Sequence, residues 1–224
     1  MSTRDSSVKR SRRWFLGTAL ASLGYAVARP VTRTSQLTNA VAPTLLERAL
    51  AALERHGERI EHRDVIAIAD FSLPSKSPRF HLLSLTDGRV SSHWVAHGRG
   101  SDPAHTGWLE RFSNEPHSNA TSSGAYRTAD TYVGAHGRSI RLEGLDHTNS
   151  NAERRALVVH GAWYVSAAMI GQCGMLGRSE GCFAVSHDSV QEILTRLGPG
   201  RLIFADPMSA SSQAGSSRIL PAVC

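Results

Sequence analysis

The 224-residue chain has only three cysteines, an odd count that leaves at least one thiol without a partner in the chain, whatever pairs form. It also lacks an apolar run long enough to cross a bilayer, for which about 20 residues are needed. The one mildly apolar stretch, residues 14–27, is shorter than that. No His-Glu-x-x-His occurs among the eleven histidines, and no compact carboxylate set with zinc spacing accompanies them. His93 and His97 are an even number of residues apart and so share one strand face, but two histidines alone do not make a metal centre. Neither a metal nor another cofactor is expected. Internal repeats are also missing, which argues against a stacked-repeat architecture.

The basic excess is mostly local. The formal charge is +6, but Arg4, Lys9, Arg10, Arg12 and Arg13 against Asp5 account for most of it, leaving about +2 beyond residue 28. No basic stripe remains to track a phosphate backbone, so no nucleic-acid partner is expected. The first residues read instead as an address. Ser11-Arg12-Arg13-Trp14-Phe15-Leu16 matches the twin-arginine export pattern, and Ala26-Val27-Ala28 offers a small-x-small cleavage site. A second such site, Ala40-Val41-Ala42, is followed by Pro43 and is the poorer one. The expected organisation is a signal peptide over 1–28, a spacer over 29–42, one catalytic domain over 43–206 and a small, polar tail over 207–224. That places the mature protein in the periplasm or cell-wall space of a bacterium, without stable membrane insertion.

The remainder, 41% hydrophobic over the whole chain, is long enough for one buried core. Leu45, Leu46, Ala49, Leu50 and Leu53 recur at helical spacing, which predicts an amphipathic helix over 43–56 that packs on the core. From residue 65 the pattern turns to strands: 65–69, 80–85 and 90–96, the last two joined around Asp87-Gly88, a hairpin turn signal. Shorter strand candidates follow at 123–127, 139–142, 156–160, 183–186 and 201–205. A helix is expected over 188–197, capped near Ser186-His187. The polar stretch 98–119 reads as one long loop, a length usually reserved for function or disorder.

The chemistry concentrates late in the chain. His160-Gly161 ends the apolar strand Ala156-Leu157-Val158-Val159, and Gly177-Arg178-Ser179-Glu180-Gly181-Cys182 follows as a polar, glycine-bounded turn. Such a turn presents a side chain rather than hiding one. The thiolate is the nucleophilic form of cysteine, and a free thiol titrates near pH ~8.5, so it needs a base. An imidazole can take that proton as a thiolate–imidazolium pair and return it to a leaving amine. Gly181, without a Cβ, lets a carbonyl approach the backbone, where the Gly181 and Cys182 N–H groups face a developing oxyanion. Ser179 either donates a further hydrogen bond or orients the turn. His97 and His136, each before a glycine, are candidates to line the cleft or to sit behind it. With Cys182 free, Cys173 and Cys224 are left as one candidate disulfide. A Cys173–Cys182 bond is the competing one, and it silences the thiol.

Three blocks of sequence resemble the L,D-transpeptidase (YkuD-type) catalytic domain, in its branch of murein L,D-transpeptidase catalytic domain proteins. They are Ile68-Ala69-Asp70-Phe71-Ser72 with Val95-Ala96-His97-Gly98-Arg99-Gly100-Ser101; Phe112-Ser113-Asn114 with residues 122–127 and 132–145; and Val159-His160-Gly161-Ala162 with residues 177–184. Together they cover roughly residues 65–206. The resemblance implies a mainly β, sandwich- or barrel-like catalytic domain with an N-terminal helix and a helix after the catalytic cysteine. It also implies attack on peptidoglycan stem peptides, with Cys182 as nucleophile, His160 as base, and Ser179 and Gly181 shaping the oxyanion turn. Gly161, Arg178, Tyr126 and His136 are the implied substrate-side residues, Tyr126 from its strand. One position departs from the commonest family motif, which has arginine two residues after the cysteine where this chain has Ala184. Arg178 is the expected compensating charge. The implied reaction forms an acyl-enzyme and then a 3-3 cross-link. The same site with water as acceptor is an L,D-carboxypeptidase, and a non-catalytic cell-wall-binding module is the reading from another class.

Overall fold

The computed structural model describes residues 40–206. The export segment 1–28, most of the 29–42 spacer and the 207–224 tail lie outside the described residues, and so does Cys224.

Nine strands form one sheet in the order β3-β2-β1-β9-β5-β6-β7-β8-β4. They are β1 (Val65–Asp70), β2 (Phe80–Ser84), β3 (Val90–His93), β4 (Val95–Ala96), β5 (Gly124–Gly134), β6 (Gly137–Gly144), β7 (Val158–Gly161), β8 (Phe183–Val185) and β9 (Leu202–Asp206). The two ends of this order, β3 and β4, are consecutive in the chain and separated only by Trp94. One extended stretch, predicted as a single strand over 90–96, therefore changes partner part-way: β3 pairs with β2 while β4 pairs with β8. Trp94 marks the break, with its indole N–H donating to the Lys76 carbonyl at 3.0 Å. The sheet is nearly closed by this device, which removes the exposed strand edges an open sheet would carry.

Alternation along the strands divides the apolar side chains between two cores. Ala67 and Ala69 of β1, Leu82 of β2 and Ile203 and Ala205 of β9 face one cluster with Phe80, Tyr126, Val159 and Phe183. Ile66, Ile68, Leu83, Leu202 and Phe204 face the other, beneath helix α1 (Pro43–Arg55). Burial on both faces is why β1 and β9, a parallel pair, read as unbroken apolar runs. Pro43 opens α1, where its missing N–H costs nothing. Two further helices are α2 (Ala167–Cys173) and α3 (His187–Leu197). The Ser186 hydroxyl caps α3 by accepting from the Ser189 N–H at 3.2 Å. The fold is mainly β and barrel-like, with the expected helices at 43–55 and 187–197.

The structure extends the sequence expectation in two places. The candidates at 123–127 and 139–142 are parts of the long β5–β6 hairpin, whose register shifts between Thr128 and Thr131. The short α2 was not expected. It lies in the crossover between β7 and β8, whose parallel pairing demands a long connection.

Candidate active site

Cys182 and His160 are brought together by adjacent parallel strands. β7 and β8 pair with Val159 opposite Phe183 and His160 opposite Ala184. On the β7 approach, Leu157 and Val159 point into the core, while Ala156, Val158 and His160 line a cleft of about 830 Å³. Cys182, one residue before β8, opens on the same cleft, as do Ser179, Arg178, His136, Tyr164 and Arg155. Among the described residues, no three His, Cys, Asp or Glu side chains converge to hold a metal.

The turn before Cys182 is held through Ser179. Its N–H donates to the His97 carbonyl at 2.9 Å and its carbonyl accepts from the Arg99 N–H at 2.8 Å. Its hydroxyl donates to the Cys182 carbonyl at 2.7 Å and accepts from the Gly181 N–H at 3.1 Å. Every polar group of Ser179 is thus spent on the turn, so of its two expected roles it takes that of orienting. The Gly181 N–H is likewise committed. Gly181 has φ +117, a conformation that favours glycine. A Cβ there would come within 2.7 Å of the Ala120 carbonyl oxygen.

Cys182 is a free, half-buried thiol, so no bond joins it to Cys173. Its Sγ donates to the Ala156 carbonyl at 3.8 Å, and Ala156 itself carries a positive φ of 52°. Burial pushes the thiol pKa up; the Val158 backbone N–H and the Arg155 charge pull it down, and Glu180 pushes it up again. His160 is buried, and its Nδ1 lies 2.9 Å from the Gly161 carbonyl. A carbonyl only accepts, so Nδ1 carries the proton and Nε2 keeps the lone pair. Burial lowers the His160 pKa against the Gly161 bond, helped by the nearby His136 and His187. Both shifts, the thiol up and the imidazole down, favour the neutral forms of the two groups.

His136, at the tip of the β5–β6 hairpin, stacks on His160 with ring centroids 4.2 Å apart and planes inclined by 24°. Beyond this stack lies a second groove of about 510 Å³, lined by Gly161, Trp163 and His187. Gly161 thus belongs to the neighbouring groove.

Tyr126, expected on the substrate side, lies in the core. Its ring is fully buried against Phe183 at 5.4 Å, and its hydroxyl is taken up by Ser122, donating to that residue's carbonyl at 2.7 Å. A side chain in the core with its hydroxyl satisfied is not available to a substrate. Arg178 reaches the cleft, but its guanidinium is held by the Asp102 and Pro103 carbonyls of the 98–119 loop, while Arg155 lines the same cleft as Cys182. Ala184 is fully buried among Ala96, Ala162, Val165 and Leu176. His97 lies behind the site, bonded to Arg79 and Asp102. Tyr164 and Arg155 were missed from the sequence, one following an unremarkable Ala-Trp and the other closing a charged run.

A family model for the L,D-transpeptidase catalytic domain matches residues 37–205. The chain belongs to that family. Similar solved structures include an L,D-transpeptidase from Mycobacterium tuberculosis H37Rv, at 14% identity over 64% of this chain and 57% of that one, with a TM-score of 0.41. Another is an L,D-transpeptidase from Mycobacterium smegmatis, at 15% identity, 64% and 58% coverage and a TM-score of 0.39. A third is the L,D-transpeptidase (residues 123–326) from Xylanimonas cellulosilytica, at 16% identity, 70% and 68% coverage and a TM-score of 0.38. The chain spans under two thirds of the length of the two mycobacterial proteins. No curated protein matches it. The candidate site of this domain is thus the cleft lined by His160 of β7 and by the free Cys182 thiol just before β8.

Proposed function

We propose that this chain is an exported cysteine L,D-transpeptidase acting on peptidoglycan stem peptides. The supporting observation is the shared cleft: Cys182 and His160 line it together, and the Gly161 carbonyl holds the His160 ring with Nε2 as its basic nitrogen.

In the first half-reaction the Cys182 hydrogen leaves its Ala156 contact for His160 Nε2. The sulfur then attacks the carbonyl carbon at the L-centre of the third-position diamino acid. The bond to the terminal D-alanine breaks, and His160 returns the proton to the departing amine, leaving a thioester. In the second, an amine of a neighbouring stem attacks the thioester and passes its proton through His160 to the leaving sulfur, completing a 3-3 cross-link. With the Gly181 N–H committed to Ser179, the Cys182 N–H is the donor assigned to the oxyanion, a role worth about 3 kcal/mol where one donor has been removed. Because both groups start neutral, no charge separation has to be maintained in the resting enzyme.

Incubation of the purified protein with defined muropeptides, read by product mass, tests this. Cross-linked dimers support transpeptidation, and loss of D-alanine alone identifies the carboxypeptidase. Cys182→Ala should abolish turnover while the fold survives, since a half-buried thiol at a turn contributes little packing. Wild-type rates in that variant would end the proposal. A carbapenem adduct mapped to Cys182 is expected, and a wall-binding module would acquire none. Export by the twin-arginine route, into the periplasm or cell-wall space, rests on Arg12-Arg13. Replacing both by lysine should strand the protein in the cytoplasm.

A further inference from the structure

One cation packed against the catalytic turn comes from a part of the chain that carries no motif. Arg155 lies in the connection between β6 and β7. One guanidinium nitrogen donates to the Ser113 carbonyl at 2.7 Å, and the other donates to the Ala120 carbonyl. The second nitrogen also lies against the backbone just before Cys182: a Cβ built on Gly181 would be 2.9 Å from it. Both of its acceptors are neutral carbonyls, and among the described residues no carboxylate pairs with it. Its positive charge is therefore unspent. By contrast, Arg99 is paired with Glu180 at 3.0 Å, and the Arg178 guanidinium is turned to the 98–119 loop. The two acidic groups that act on Arg155 are Tyr126 and Cys182. Tyr126 is buried with its pKa raised well above the working range and does not ionise there.

We propose that Arg155 is a positioning residue for the reaction, a guanidinium fixed by two backbone carbonyls that stabilises the Cys182 thiolate as the proton passes to His160. This rests on Cys182 as the nucleophile of the reading above. Arginine suits the place because it stays charged and its planar fork holds two acceptors while its charge faces a third group. The proton balance is simple: Sγ–H gives its proton to His160 Nε2, and the charge left on sulfur faces the guanidinium. The same hydrogen bonds tie the 113–120 stretch to the β6–β7 connection that carries Arg155, so the charge is held at a constant place. Its attraction already opposes the upward push of burial on the thiol.

The test reads the thiol without turnover. The pH dependence of iodoacetamide alkylation, mapped to Cys182 by peptide mass in the full chain, reports the thiol pKa directly. In Arg155→Ala the profile should move to higher pH, with alkylation at neutral pH falling about tenfold as the thiolate becomes scarcer. Arg155→Lys should recover most of the loss, and Arg178→Ala should leave the profile where it is. Thermal melts verify that each variant folds; Arg155→Gln, which keeps a donor without the charge, replaces alanine if that variant does not. An unmoved profile in the neutral variants, or lysine no better than alanine, overturns the proposal. So does a larger displacement from Arg178→Ala. If the profile responds as expected while muropeptides are not turned over, the proposed function fails and the assignment of Arg155 stands.

Discussion

Two His-Gly pairs in this chain meet opposite fates. His97-Gly98 ends the β4 stretch and His160-Gly161 ends β7, and both histidines are nearly inaccessible, at 1% and 3% exposure. His97 has both ring nitrogens engaged, Nδ1 accepting from Arg79 at 2.7 Å and Nε2 donating to Asp102 at 3.3 Å. Asp102 also accepts the N–H groups of Thr106 and Gly107, each at 2.8 Å. Arg79, fully buried, gives its remaining donors to the Val95 and Leu73 carbonyls and lies 4.9 Å from the centre of the Phe71 ring. Burial pushes the Arg79 pKa down to about 9 and that of His97 down to about 4, while hydrogen bonds from His97 and the loop overcome burial to hold Asp102 at about 2. His160 has one nitrogen engaged and opens on the cleft with the other. What separates a structural histidine from a candidate base here is therefore satisfaction of the second nitrogen, since burial is almost the same.

Removing each ring in turn should separate the two histidines most. His160→Gln should cost turnover about 10²- to 10⁴-fold, the usual worth of a general base, with a melting temperature close to wild type. His97→Ala should do the reverse. It leaves a buried guanidinium and carboxylate each short of a partner, and breaking such a network costs about 3–5 kcal/mol, read in urea unfolding. Activity per folded molecule should fall less than in His160→Gln. Equal effects of the two changes on turnover would dissolve the distinction.

A smaller effect sharpens it by pH. The folded pKa of His97 lies below its ordinary value of 6.5, so between pH 6.5 and about 4 the unfolded chain binds the extra proton. Stability is then full above pH 6.5 and is lost as pH falls toward 4, by about 3 kcal/mol at most. The slope should flatten in His97→Ala.

The smallest expected change is at the stacked ring. The His160 pKa is lowered, so the acid limb of the reaction profile should lie below pH 6.5. Burial is the main cause, and His136 contributes charge repulsion. His136→Ala removes both that repulsion and part of the cover, so the limb should move to higher pH, by less than a tenfold change in proton concentration. A limb that stays in place would mean that the stack does not tune the base.

Much of the fold was legible, for a physical reason. β1 and β9 are buried on both faces, so their apolar runs signal themselves, and α1 shows the stripe of a helix lying on a core. Of the β5–β6 hairpin only 123–127 and 139–142 read as strand, because the outer part of 128–134 is exposed and follows no apolar alternation. α2 buries no residue fully and so left no stripe to read. The break at Trp94 was invisible because residues on both sides of it are extended; it exists only because two different strands compete for the same stretch. In the candidate site, the thiol was legible from its glycine-bounded turn and the imidazole from its place at the end of an apolar strand. Arg155 was not, since Glu153-Arg154-Arg155 has the look of a solvated charge run, and Tyr126, read toward the substrate, lies in the core.

Residue chemistry and local periodicity belong to the sequence by itself: one nucleophile type in a glycine-bounded turn, imidazoles after apolar strands, and the strands themselves. Which imidazole keeps a free nitrogen, and which arginine packs against the backbone before Cys182, was decided only when the sheet assembled. Those properties depend on neighbours far away in the chain. Arg79, 18 residues before His97, takes up its Nδ1, and the Ser113 and Ala120 carbonyls hold the Arg155 guanidinium from 42 and 35 residues away. No local pattern encodes a partner that only the closed barrel supplies.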